Sequence, residues 1–496
     1  TNLIVEDIPD LDLATGEQSM SSEDTYWAIN GFFFRFNYNY KQRYLLEVNG
    51  RYDGSSKFAK DHRYAFFPSV SAAWRISEEN FWQPLKGWWN DMKIRGSYGS
   101  LGNQVMDDLG NFPYLATYGT NSSYNYLING SKPVIVKAPG LVAPDFTWET
   151  VTQMDFGFDA SFLNNRLTGT FDWYRRNTKD MLVAGATLPA TLGASVPKSN
   201  SADMKTIGWE LSLGWNDRLE NGFSYWVKGV LSDYQATITK YAGNDAGFYS
   251  QSDGDGKYYV GQKIGEIWGY HSNGLFQSDD EAATIDQSEL YAGKWGAGDV
   301  KYEDLDNDGK ITKGEETIYN PGDKSIIGNK TPRYQFGITV GFDYKNFDFE
   351  MFWQGTGKRD YMLSGAQFWG FTSQWDVPYT PALDYWTETN TDAYFPRPGW
   401  QNGGNRVTSD RYLQSAAYGR LKNLTVGYTI PKNLTTKWGI SRLRLYVTGE
   451  NLLTITPLND AFDPETLGGM TYPINRKVAI GLNLTDRKST RLNSSH

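Results

Sequence analysis

The chain has 496 residues, a formal net charge of −9, three histidines and no cysteine. Disulfides and thiolate metal sites are excluded, and the acidic balance argues against nucleic acid as a partner. No run of about 18 apolar residues occurs, so no transmembrane helix is expected, although aromatic residues reach 16%, with 33 Tyr and 18 Trp.

The dominant pattern along the chain is alternation. In "FFFRFNYNY", Phe32, Phe34, Phe36, Tyr38 and Tyr40 share one face, and Phe33, Arg35, Asn37 and Asn39 the other. "YLLEVNGRYDG" sets Tyr44, Leu46, Val48 and Tyr52 against Glu47, Asn49, Arg51 and Asp53. Successive side chains of a strand point to opposite faces, so each stretch is a strand with an apolar and a polar side. The same reading holds for "LTGTFDW", "FGITVGFDY", "FDFEMFW", "LRLYVTGE" and "VAIGLNLT". Thirteen strands are predicted, at about 26–40, 43–53, 67–76, 91–100, 151–163, 166–177, 206–216, 222–234, 332–344, 347–356, 415–430, 442–453 and 474–485.

The connections alternate as well. Short ones at 41–42, 77–90, Asn164–Asn165, 217–221, Lys345–Asn346 and 431–441 interleave with long ones at 54–66, 101–150, 178–205, 235–331, 357–414 and 454–473. A soluble sandwich has no reason to gather its long loops at one end. An outer-membrane barrel has short periplasmic turns, long extracellular loops, an apolar face toward lipid and a polar face toward the lumen. The chain therefore reads as all-β, an antiparallel transmembrane β-barrel.

One loop carries a metal-binding pattern. Residues 304–316, "DLDNDGKITKGEE", match D-x-[DN]-x-[DN]-G-x5-E at every specified position. Asp304, Asp306 and Asp308, the Lys310 carbonyl, Thr312 through water and a bidentate Glu315 would offer a calcium ion its hard oxygens. Helices are not written on either side, so a calcium sensor that opens a groove is not expected; a structural ion that pins the 235–331 loop is. Elsewhere His62, His271 and His496 lie far apart in sequence, and neither a histidine-based triad nor a zinc site is expected. No GxSxG elbow or P-loop occurs. The chain is read as a non-enzyme. Trp369, Trp375, Tyr379 and Trp386 in the 357–414 loop are candidates for stacking on a substrate's sugar rings.

Several stretches, in order, resemble one family: "RYDGSSKF", "FPSVSAAWRISEE", "IRGSYGSLGNQ", "GYHSNGLFQ", "GDVKYEDLDNDGKIT", "YKNFDFEMFWQG", "YGRLKNLTVGYTIPK", "LYVTGENLLTIT" and "FDPE". Together they look like the C-terminal barrel of SusC/RagA-type TonB-linked outer-membrane transporters. That resemblance implies a 22-stranded barrel with an N-terminal plug, coupling to the TonB complex, and a SusD-like lipoprotein lid. It implies import of oligosaccharide, with peptide as the other class, into a Gram-negative, Bacteroidota-like cell. Set against 22 strands, thirteen leave the barrel incomplete, with nine strands and the plug expected to be missing. Residues 1–25 then fall in an extracellular loop, 26–485 form the barrel portion, and 486–496, "DRKSTRLNSSH", look like a non-native, adapter-derived tail standing where the natural protein is expected to have Phe at 486. Two other functions fit a barrel: a surface binding or adhesion protein stiffened by calcium, and a passive porin.

Overall fold

The computed structural model describes residues 25–104, 110–121, 135–137, 139–143, 146–184, 189, 191, 196–249, 258–399, 401–467, 472 and 474–486. Thirteen strands form one antiparallel sheet in strict sequence order. They are β1 (Ile29–Tyr40), β2 (Tyr44–Ser55), β3 (Tyr64–Arg75), β4 (Trp89–Asn103), β5 (Glu149–Phe162), β6 (Leu167–Ala184), β7 (Lys198–Arg218), β8 (Ser224–Tyr241), β9 (Arg333–Tyr344), β10 (Phe347–Lys358), β11 (Tyr418–Thr429), β12 (Ile440–Ile455) and β13 (Lys477–Asp486). β1 and β13 are not paired with each other, so the sheet is an open wall rather than a closed ring. No helix is long and apolar enough to cross a membrane.

Each strand follows from its alternation. On one face of the wall stand Phe156 and Trp173 as cross-strand partners, then Trp173 and Trp209. On the other face Arg95 joins Asp159 and Asp172 through its guanidinium, with Lys93 on Asp159 at 2.8 Å. Asp348 and Arg444 pair on this polar face. A one-residue slip would turn Arg95, Asp159, Asp172, Asp348 and Arg444 toward lipid, so the pattern fixes the register. The short ends are tight turns. Lys41 and Gln42 both adopt positive φ, as do Asn164 and Asn165, the type I′ geometry that matches strand twist.

Several strands outrun their expected ends. β6 continues to Ala184, β7 begins at Lys198 rather than 206, and β8 runs to Tyr241 rather than 234. "KSNSADMKT" and "QATITKY" carry no apolar alternation. Above the lipid both faces meet water, so the ladder continues without the side-chain period that betrays it. At the other extreme Asp486 takes the last rung of β13, opposite Ile440. The rest of the expected tail, 487–496, and residues 1–24 lie outside the described residues.

The wall has no apolar core of its own; Ile480 is 84% exposed and Phe33 79%. Buried apolar clusters lie instead at the loop end. One gathers Tyr270, Val300, Tyr302, Ile311, Leu363, Phe368, Trp369, Phe395, Tyr412, Leu458 and Leu467 from the connections β8–β9, β10–β11 and β12–β13. A smaller one joins Phe58, Phe67, Phe146 and Trp148.

Candidate functional site in the extracellular loop assembly

Three long connections fold into one body above the wall. Short ladders stiffen them: Glu266–Tyr270 pairs with Lys324–Asn329, Ser272–Leu275 with Val300–Tyr302, and Asp360–Met362 with Leu413–Ser415. Aromatic edges lock the interior, with Trp369 and Tyr412 ring centroids 4.6 Å apart at 70° and Phe368 and Phe395 5.2 Å apart at 66°. Such contacts add roughly 0.5–1.5 kcal/mol each beyond the area they bury.

A buried carboxylate ties the β8–β9 connection to the β10–β11 connection. Asp299, 1% exposed, accepts from Arg397 Nε at 3.1 Å and Nη2 at 2.8 Å, from Asn405 Nδ2 at 2.8 Å and from the Gly296 N–H at 2.9 Å. Every lone pair of this buried charge faces a donor, the condition under which burial is tolerated. Gly298 permits the close approach: its φ is +83°, and a Cβ there would lie 2.5 Å from the Trp386 ring.

His271 makes a second tie, one the sequence spacing argued against. Its Nδ1 lies 2.8 Å from Asp410 Oδ2 and its Nε2 2.7 Å from Ser325 Oγ. The order is that of a Ser-His-Asp triad, brought together from residues up to 139 positions apart. Ser325, however, occupies a ladder rung opposite Gly269 rather than a sharp strand-to-helix turn that presents a nucleophile. The trio fastens one loop to another.

The acidic loop folds differently from its spacing. Asp304 and Asp306 converge, but the third carboxylate within 4.8 Å is Asp323. Asp308 instead accepts the Lys310 N–H at 2.8 Å, and the backbone of Glu315 pairs with Asn320. Neither the Asp308 nor the Glu315 carboxylate belongs to the set that converges within 4.8 Å. Without a second helix, the chain turns back at Pro321 and Gly322. Gly314 and Gly322 both have positive φ, and a Cβ on either would sit about 2.5 Å from the other's nitrogen. This crossing brings Asp323, fully buried, against the N–H groups of Leu305 and Thr312 at 2.8 and 2.7 Å. No spacing rule would find Asp323; the two glycines are the signal. Loss of solvent, with the neighbouring carboxylates Asp308 and Asp323 added, raises the Asp306 pKa. Desolvation is also the largest influence on Asp304, but the N–H groups of Gly309, Asn307 and Asp308 together hold it below the ordinary aspartate range.

The four candidate aromatic contacts divide. Trp369 is buried among Phe395 and Tyr412, so it offers no open face for a sugar ring, which corrects its expected role. Trp386 is half-buried against Gly298. Trp375 is 83% exposed and Tyr379 is also open. A knuckle presents Trp375: Asp376 Oδ2 accepts the N–H groups of Thr372 and Ser373 at 2.8 and 2.7 Å together with the Thr372 hydroxyl. These bonds, the Thr372 hydroxyl foremost, hold the Asp376 carboxyl below the usual range.

An open antiparallel wall with one apolar face, one charged face and all long loops at one end defines a segment of a transmembrane β-barrel. Residues 6–452 match the family model described as TonB dependent receptor-like, beta-barrel. The chain belongs to this TonB-dependent receptor family. It is 30% identical over 486 residues to TonB-dependent receptor P26 of Formosa agariphila, covering 94% of this chain and 47% of that protein. It is 28% identical to TonB-dependent receptor SusC of Bacteroides thetaiotaomicron, covering 91% of this chain and 43% of that protein. Among solved structures the RagAB peptide transporter matches with a TM-score of 0.76 at 22% identity, over 97% of this chain and 50% of that chain. The chain spans about half the length of the curated relatives it matches.

Proposed function

We propose that the chain is the wall and loop portion of a TonB-dependent importer that takes a nutrient across the outer membrane, working with a SusD-like lipoprotein over its loops and with TonB on the periplasmic side. The observation that carries this reading is the loop assembly: a body with its own buried core stands over one rim of a wall whose concave face is charged. An adhesion surface would need no charged lumen, and a passive pore would need no folded body at its mouth. The substrate is an oligosaccharide in this reading, with peptide as the alternative. Trp375 supports it, because an exposed indole on a backbone knuckle tied down by Asp376 offers a flat face to a sugar ring. Growth of the source organism on single glycans and on peptides, with the gene deleted and with Trp375→Ala in the full-length protein, tests both levels. Import fails if uptake survives deletion of the gene or loss of TonB. The oligosaccharide reading fails if only peptide growth is lost.

The acidic turn, in the same reading, holds a calcium ion that stiffens the loops. The donor set fits: Asp304, Asp306 and buried Asp323 bring three carboxylates together, and hard oxygens at that density suit calcium. The ion would offset the repulsion among them and supply no chemistry beyond that. Isothermal titration of the full-length protein with calcium, repeated with Asp306→Ala plus Asp323→Ala, tests it; equal heats in both would remove the ion from the account.

A further inference from the structure

The lipid-facing side of the wall carries a basic row on β6 and β7. On β6, Leu167, Phe171, Trp173, Arg175, Asn177 and Lys179 alternate onto one face, opposite to Asp172, which meets Arg95 in the lumen. The register sets Trp173 against Trp209, Arg175 against Ile207 and Asn177 against Lys205. Lys205 is thus the diagonal neighbour of Arg175, within reach of two long side chains. Arg175 is exposed, and its Nε donates to Asn177 Oδ1 at 3.2 Å, so the guanidinium climbs away from the lipid toward the loop end. Among the described residues neither Arg175, Lys179 nor Lys205 forms an ion pair. The carboxylate of Asp203, two residues from Lys205 on β7, accepts the Asp180 N–H at 3.0 Å.

Depth decides what this row meets. Trp215, opposite Leu167 beside the short turn, donates its indole N–H to the Tyr225 hydroxyl at 3.1 Å. Phe223 stacks on Phe342 and lies tilted against Tyr344 nearby, marking the periplasmic aromatic girdle. Lys205 lies ten residues along β7 from Trp215, roughly 33 Å of strand. At a tilt of about 40° that is roughly 25 Å of height, the full apolar band of an outer-membrane barrel. Trp173 and Trp209 lie roughly 10 Å lower, within the upper half of the apolar band. Lys205 therefore stands at the headgroups of the outer leaflet, where anionic groups attract it, and Arg175, opposite Ile207 and roughly 5 Å lower, extends its guanidinium up toward the same level.

We propose that Arg175 and Lys205, with Lys179 above them, form a binding site for the phosphate of an outer-leaflet lipid headgroup, which fastens this part of the wall to phosphorylated lipid. The inference rests on the outer-membrane reading of the chain. The ligand chemistry is a phosphate monoester or diester presented by a lipid, not a free phosphate in solution.

The experiment uses the full-length protein in nanodiscs of phosphatidylcholine doped with bis-phosphorylated lipid A, and native mass spectrometry to count bound lipid. Wild type is expected to retain lipid A, and Arg175→Ala plus Lys205→Ala to bind it roughly thirtyfold more weakly, at about fivefold per basic side chain. Arg175→Lys plus Lys205→Arg should keep binding, which separates charge from folding. Lipid A stripped of its phosphates should bind like the alanine variant. Inorganic phosphate at millimolar concentration should displace nothing. Equal lipid A occupancy in wild type and the alanine variant would overturn the proposal, and so would displacement by inorganic phosphate. Loss of transport with lipid binding intact would count against the importer reading alone.

Discussion

The wall and the loop assembly are built from the same residue types by opposite rules. In the wall, Phe, Leu and Val face outward and stay exposed, while Arg, Asp and Glu pair on the concave side. In the loops, Phe368, Tyr302 and Tyr412 are inside. The wall is held by its ladder and by lipid; the loop assembly is held by an ordinary aqueous core. A single hydropathy average over both hides each. The difference teaches that this chain has two solvents, and that a substitution should be judged by which one its side chain meets.

The sharpest break of that contrast is Phe368→Ala in the full-length protein. It empties the centre of the loop core and should destabilise that body by about 3–5 kcal/mol. Hydrogen exchange should rise across 260–310 and 360–415, while the heat-resistant mobility of the barrel on gels stays unchanged. Simultaneous loss of both would mean the regions fold as one unit.

A charge placed on the outer face should be the next largest effect. Val447→Lys, at mid-height on β12, should cost about 2–4 kcal/mol in bilayer refolding. Asn483→Lys, on the lumen side of the neighbouring strand, should stay within about 0.5 kcal/mol. Equal costs would show that the two faces are misassigned.

Asp299→Asn leaves the geometry but removes the charge that meets Arg397. The Arg397 side chain is 41% exposed and can turn to water, so the expected loss is only about 1–3 kcal/mol, read as faster proteolysis at the loop junction.

The smallest effect concerns the acidic turn. Proton and calcium compete for the carboxylates, so affinity should fall with pH. Asp306, with its raised pKa, is the first to protonate as pH drops; Asp304, held low by its N–H donors, is the last. Without calcium the signs differ. Asp304 contributes stability that is present above its unfolded pKa and is lost as pH falls through its lower folded value. Asp306 works the other way and relieves repulsion when protonated. Calcium titrations at descending pH should therefore weaken first in the range just above ordinary aspartate values. An affinity independent of pH there would argue that Asp306 is not a ligand.

Much of the wall was legible because lipid on one side and water on the other force a two-residue period, and "FGITVGFDY" or "VAIGLNLT" display it without help. Where both faces are wet, as in "KSNSADMKT", the period vanished and the strand start was missed. Trp369 and Trp375 show the limit inside the loops: six residues apart and alike in sequence, one is core and the other is fully presented.

By itself the sequence determined the thirteen strands, their order, which faces are apolar and which end bears the long loops, because strand alternation is a local property that any window reveals. Tertiary structure alone decided that His271 meets Asp410 and Ser325, that Asp323 rather than Glu315 joins Asp304 and Asp306, and that Asp299 receives Arg397. Those contacts join segments that close upon each other only after the loop core has formed, and no periodicity encodes which loop will lie against which.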